Sequence, residues 1–185
     1  MTELPEDAIN LIKRWEGFRS HWYADAGGVR TIGFGTTDMD RAIDPGAIDP
    51  PITRARGEQL LRRSIETQYE PCVRESLRRE ATPHQLGAMV SLTYNIGCAA
   101  FGDSTLVQLF NAGETVEAAD EFLRWKYVGG EVVEGLLRRR RAEREFFFGE
   151  LGPAFSIEAT QVPVAGVERL GTPALADLLR RIDLE

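Results

Sequence analysis

The chain has 185 residues, enough for one domain with a substantial core, and its 43% hydrophobic and 28% charged content is ordinary for a water-soluble globule. A formal charge of −7 argues against a nucleic-acid partner, which calls for a basic face that neutralises phosphates. No run of about 18 apolar residues offers a membrane span, and the acidic start Met1-Thr2-Glu3 lacks the basic region of a signal peptide, so synthesis in the cytoplasm and no membrane insertion are expected.

Pro5, Glu6 and Asp7 suit the first turn of a helix, and Ala8, Leu11, Ile12, Trp15 and Phe18 recur behind them at helical spacing. Glu16 follows Ile12 by four residues and so borders the apolar face. Partial desolvation there favours the neutral carboxyl, as a general acid requires. Beyond it, glycines at 17, 27, 28, 33 and 35 punctuate two β-prone runs, His21 to Ala24 and Val29 to Phe34, which predict a hairpin turning at Ala26-Gly27-Gly28. Asp25 falls at that turn and Thr31 on the returning strand, so the hairpin can set both across a cleft from Glu16. Two carboxyl groups in unlike environments beside a cleft are the apparatus of glycoside hydrolysis.

From Asp38 to Ile52, two Asp-Pro steps and Gly46 forbid a continuous helix or central strand, and the segment reads as a loop closing the small β lobe. Thr53 opens a helix with Leu60, Leu61, Ile65 and Tyr69 on one face, interrupted by Pro71 near Glu70. The arginines at 62, 63, 74, 78 and 79 interleave with glutamates and read as a solvated face. Cys72 and Cys98 are too few for a disulfide framework and sit in no metal-ligand spacing, so they read as buried thiols rather than as a bridge or a reactive site.

Thr82-Pro83 starts a helix without a wide polar face, the buried centre of a helical lobe, ending at Tyr94-Asn95-Ile96-Gly97. Another begins near Phe101 with Asp103 or Ser104 as cap and stops at Gly113; the next carries the stripe Val116, Ala119, Phe122 and Leu123 up to Trp125. After the Gly129-Gly130 turn, a helix from Val133 to Phe148 bears the basic run Arg138 to Arg141. Leu151 to Gly171 reads as a linker or surface strap. Leu175, Leu178, Leu179 and Ile182 give the last segment an amphipathic face, more simply packed on its own domain than on a partner or a membrane. The expected organisation is a domain over 1–150 and a C-terminal extension over 151–185.

The run Leu11-Ile12-Lys13-Arg14-Trp15-Glu16-Gly17-Phe18, then Tyr23-Ala24-Asp25, then Arg30-Thr31-Ile32-Gly33-Phe34-Gly35-Thr36-Thr37, resembles the catalytic stretch of the phage-type lysozymes, the endolysin muramidases. The family's triad of Glu, Asp and Thr at fixed spacing matches Glu16, Asp25 and Thr31 residue by residue. The resemblance implies a lysozyme-like α+β fold, a small β lobe and a larger helical lobe flanking a cleft. It also implies hydrolysis of the β-1,4 bond between N-acetylmuramic acid and N-acetylglucosamine in peptidoglycan. Glu16 would be the general acid, with a water positioned by Asp25 and Thr31 attacking with inversion, which needs the carboxyl groups about 6.5 to 9.5 Å apart. The protein would then act on the cell wall after release, as a monomer, with no metal or cofactor.

Phe34, Tyr94 and Asn95 are candidates for sugar contacts, the last two because the aromatic-Asn-hydrophobic-Gly turn of the family faces the substrate groove; alternatively Tyr94 is core and Asn95 ends its helix. By the same resemblance, one arginine of Arg138 to Arg141 could pair with Glu16. Thr36 departs from the family, which places histidine there, and removes a group that titrates near neutrality. Activity is expected to survive this change. The rival readings are a non-catalytic wall-binding or scaffolding descendant, against which the intact triad argues, and an antibacterial effector whose tail docks a partner.

Overall fold

In the computed structural model, which describes residues 2–25, 27–40 and 43–149, a small antiparallel sheet is followed by a larger set of helices. Helix α1 (Glu6–Glu16) buries Ala8, Ile9, Leu11 and Ile12, with acidic residues in its first turn and basic ones in its last, matching the helix dipole. Gly17, at φ 60°, takes the chain out of the helix immediately after Glu16.

Strands β1 (Arg19–Ala24), β2 (Arg30–Gly33) and β3 (Thr36–Thr37) form one sheet in that order. The expected hairpin is present, but β1 begins at Arg19 rather than His21. Strand β2 stops at Gly33, because Gly33 and Gly35, at φ 68° and 93°, turn the chain into a third strand that the sequence pattern did not reveal. Among its described residues, the connector that follows lacks helix and strand apart from a 3-10 turn at Pro45–Ala47. It is more than a solvated link, since Ile48 and Ile52 join Ile32 and Leu60 in the core of the small lobe.

Helix α2 (Arg54–Ser64) is capped by the Thr53 hydroxyl, and here one expectation fails: Pro71 does not interrupt the helix. A π-helical stretch at Ile65–Tyr69 leads directly into α3 (Glu70–Ser76), with the Glu70 N–H donating to Ile65 O. The widened turn accommodates a residue that has no N–H and whose ring would otherwise meet the carbonyl four residues back. Arg62 pairs with Glu58 at 2.7 Å and Arg74 with Glu70 at 2.6 Å, the solvated face anticipated for this segment.

Helix α4 (Pro83–Ile96) has a full capping box of Thr82 and Gln85 and is buried from Leu86 to Ile96. Helices α5 (Cys98–Gly102), α6 (Thr105–Ala112) and α7 (Thr115–Glu121) follow, with Ser104 capping α6. Val116 is exposed; Ala118, Ala119 and Phe122 form the buried stripe instead. A short hairpin, β4 (Tyr127–Val128) and β5 (Glu131–Val132), precedes α8 (Glu134–Phe147), which packs along α4. Cys72 and Cys98 are joined as a disulfide and neither is buried, contrary to the reading as buried thiols: α3 lies against α5 and brings the two Cα atoms to 5.9 Å, within bridging range. Among the described residues no helix is long and apolar enough to cross a membrane. The linker and amphipathic segment expected over 151–185 lie outside the described residues.

Candidate active site

Glu16 ends α1, and its carboxylate is held by a residue far along the chain. Arg139 Nη1 donates to Glu16 Oε1 at 2.7 Å, the two side chains being 5% and 14% exposed. Arg139 is fixed in turn: its Nε donates to Glu143 Oε1 at 3.0 Å and its Nη2 to the Ser91 carbonyl at 3.2 Å. The Ser91 hydroxyl also donates to Glu143 at 2.7 Å, and Arg140 Nε lies 3.1 Å from the other Glu143 oxygen. Burial alone would weaken the Arg139 cation, but the charges and hydrogen bonds of Glu16 and Glu143 outweigh it and raise its pKa above the ordinary arginine value. Arg140 has less compensation, and burial pushes it down to about 10, still charged at neutral pH. Glu16 Oε2 lies over Gly35, where an added Cβ would come within 3.2 Å of it and of the Tyr94 hydroxyl. Glycine is favoured there by its φ of 93°, and a Cβ would in addition press on both groups.

Asp25 is positioned by its own turn. Its Oδ1 accepts from the backbone N–H groups of Gly27 and Val29, both at 2.8 Å, while its own N–H donates to Val29 O at 3.0 Å. The Thr31 hydroxyl donates to the same Val29 carbonyl at 3.0 Å, so one peptide group sets both residues. Asp25 is 8% exposed, and its Oδ2 is buried with no hydrogen-bond partner among the described residues.

Residues 13–143 match the Phage lysozyme family. The chain belongs to that family. It is 37% identical over 146 residues to the endolysin of Bacillus phage B103, covering 78% of this chain and 53% of that one. With the endolysin of Salmonella phage P22 it shares 34% over 149 residues, 80% of this chain and 99% of the relative. The chain therefore spans about half the length of the Bacillus phage relatives but nearly all of the P22 protein. In three dimensions it resembles the muramidase domain of SpmX from Asticcacaulis excentricus, at 28% identity and a TM-score of 0.69 over 80% of this chain and 98% of that domain. The fold is lysozyme-like α+β, as the sequence implied.

Within this phage lysozyme fold the three expected sugar contacts do not present themselves as a binding surface. Phe34 is 1% exposed, its ring tilted on Phe18 at 5.3 Å, and Tyr94 is 2% exposed with its hydroxyl donating to the Phe34 carbonyl at 2.9 Å. Both are packing residues that support Gly35 and the floor beneath Glu16. Burial, with Tyr69, Glu16 and Asp40 nearby, pushes the Tyr94 phenol well above its ordinary value. Asn95 does not end its helix in the way envisaged; its Oδ1 accepts from Arg140 Nη2 at 2.7 Å. Thr36, in the place of the family's histidine, is buried.

Of the basic run, Arg138 and Arg141 are exposed while Arg139 and Arg140 turn inward. The helical phase carried that information: Arg139 and Arg140 lie seven residues before Phe146 and Phe147, on the buried face of α8 with Glu143. The sequence reading passed over Glu143 and Ser91. Among the described residues no group of three or more His, Cys, Asp or Glu side chains is placed to hold a metal ion.

Proposed function

We propose that the chain is an inverting muramidase that cleaves the β-1,4 bond between N-acetylmuramic acid and N-acetylglucosamine of peptidoglycan strands. Glu16 protonates the leaving oxygen, Asp25 orients and activates a water on the opposite ring face, and Thr31 helps to hold that water. The observation that carries this reading is the asymmetry of Asp25. One carboxylate oxygen is spent on the turn, whereas Oδ2 is buried and, among the described residues, has no hydrogen-bond partner, which leaves it open to accept from a water. An unpaired oxygen beside one fixed by the turn suits a base that must accept a water.

Arg139 restrains Glu16 through Oε1 alone, and Oε2 lies over Gly35 on the other side of the carboxyl. The names of the endolysin relatives and of the SpmX muramidase domain support the same class of reaction. The protein acts on the wall after release from the cytoplasm as a monomer, with residues 1–150 as the catalytic domain and 151–185 as an appendage. Clearing of purified sacculi, followed by turbidity, tests the reading. Wild-type protein should clear them, and folded Glu16→Gln should be slower by about 10² to 10⁴, the usual contribution of a general acid. Clearing by Glu16→Gln at the wild-type rate would refute the assignment.

A further inference from the structure

Glu143 is fully buried on α8 in a position where no step of the reaction calls for a carboxylate. It is part of an alternating set of charges: Glu16, Arg139, Glu143, Arg140, linked at 2.7, 3.0 and 3.1 Å. As a device for stability alone such a set is poor, since apolar residues of similar volume often do as well or better than a buried ion network. Its geometry has a direction, however. The Arg139 guanidinium is a rigid fork. Glu143 takes Nε and the Ser91 carbonyl takes Nη2, which stops the plane from rotating and leaves Nη1 aimed at Glu16 Oε1.

We propose that Glu143 is a positioning residue for the general acid: it holds the far side of Arg139, fixing where Glu16 stands, and its charge offsets the two cations beside that acid. This rests on the reading of Glu16 as the acid. With the Glu143 charge removed, Arg139 and Arg140 would both act on one carboxylate and favour its charged form. The other titratable groups around the site do not change with the substitution. Tyr94 faces Glu16 from α4 as a neutral phenol, with Tyr69 and Asp40 beyond it.

The test is Glu143→Gln, whose amide keeps the size of the side chain and an oxygen for Ser91 and Arg139 while losing the charge. Rates on sacculi are measured across pH, with thermal unfolding alongside. The expected outcome is a kcat lower by about tenfold or more, little change in KM, and loss of activity on the alkaline side at lower pH than in wild type, because a charge-assisted bond has become an ordinary one. Glu143→Asp, which restores the charge, should bring the alkaline limb back. A folded Glu143→Gln protein with wild-type kcat and an unmoved alkaline limb, whatever its melting temperature, would overturn the proposal. If Glu143→Gln does not fold, Glu143→Gln/Arg140→Gln removes one buried charge of each sign, and it should show the same loss in kcat; unchanged kcat again overturns the proposal. Should wild-type protein leave sacculi intact, the functional reading fails separately. Anchoring is then tested by NMR: the Arg139 Nε–H should exchange with solvent about tenfold or more faster in Glu143→Gln, and unchanged exchange would refute the anchor.

Discussion

Glu16 and Asp25 lie close in the chain, yet they are held by opposite means. The partner of Glu16 is Arg139, 123 residues away, and that arginine is itself placed by Ser91 and Glu143 on two packed helices. The partners of Asp25 are the backbone N–H groups two and four residues downstream. The Asp25 turn can form as soon as the hairpin does, whereas Glu16 is set only once α8 has closed on α4 and α1. Glu16, the proposed acid, is thus coupled to the integrity of the helical lobe, and Asp25 is not.

Substitution at the long-range end should give the largest combined effect. Arg139→Met leaves Glu16 without its cation and Glu143 buried with one arginine fewer. Removing one partner of a buried ion network typically costs about 3 to 5 kcal/mol, so urea unfolding should show a loss of that order together with a fall in activity. A stability loss below about 1 kcal/mol would mean that the helical lobe does not depend on the relay, and the contrast with Asp25 would collapse.

At the local end the two effects should separate. Asp25→Asn retains a carbonyl oxygen for the N–H groups of Gly27 and Val29, so unfolding should shift little while hydrolysis falls by about 10² to 10⁴ with the loss of the base. Near-wild-type turnover by Asp25→Asn would remove Asp25 from the reaction; a large stability loss would show that the turn needs the charge and not just the acceptor.

The same division explains what could be read from the sequence. The placement of Glu16 at the end of a helix, Asp25 at the turn and Thr31 on the returning strand was legible because helix phase and turn chemistry act within a few residues. The Pro71 step was misread, since a π-helical turn that spares the proline its missing bond is chosen by packing on both sides of it. The disulfide was missed because only the docking of α3 on α5 brings Cys72 to Cys98. Phe34 and Tyr94 were offered as sugar contacts because aromatic residues near a site suit sugars, but their mutual hydrogen bond and their burial are tertiary facts. Arg139 stood within a run of four arginines, and its register with Phe146 on α8 distinguishes it from the exposed pair.

The smallest expected effect separates two properties of one side chain. The Thr31 hydroxyl donates to the Val29 carbonyl, the same group that accepts from the Asp25 N–H, so the hydroxyl can steady the turn, help to hold the attacking water, or do both. Its methyl group is buried with the rest of the residue. Thr31→Ser keeps the hydroxyl and loses the methyl; Thr31→Ala loses both, so the difference between the two variants isolates the hydroxyl. If the hydroxyl acts on the water, Thr31→Ala should lower kcat by roughly tenfold while costing about 1 kcal/mol of stability, and Thr31→Ser should keep most of the activity. If it serves only the turn, both activities stay near wild type and only the unfolding free energies fall, that of Thr31→Ala the more. The first outcome makes the local end of the site a pair of groups sharing one water. The second leaves Asp25 to position that water by itself, with Thr31 as a structural part of the turn that holds it.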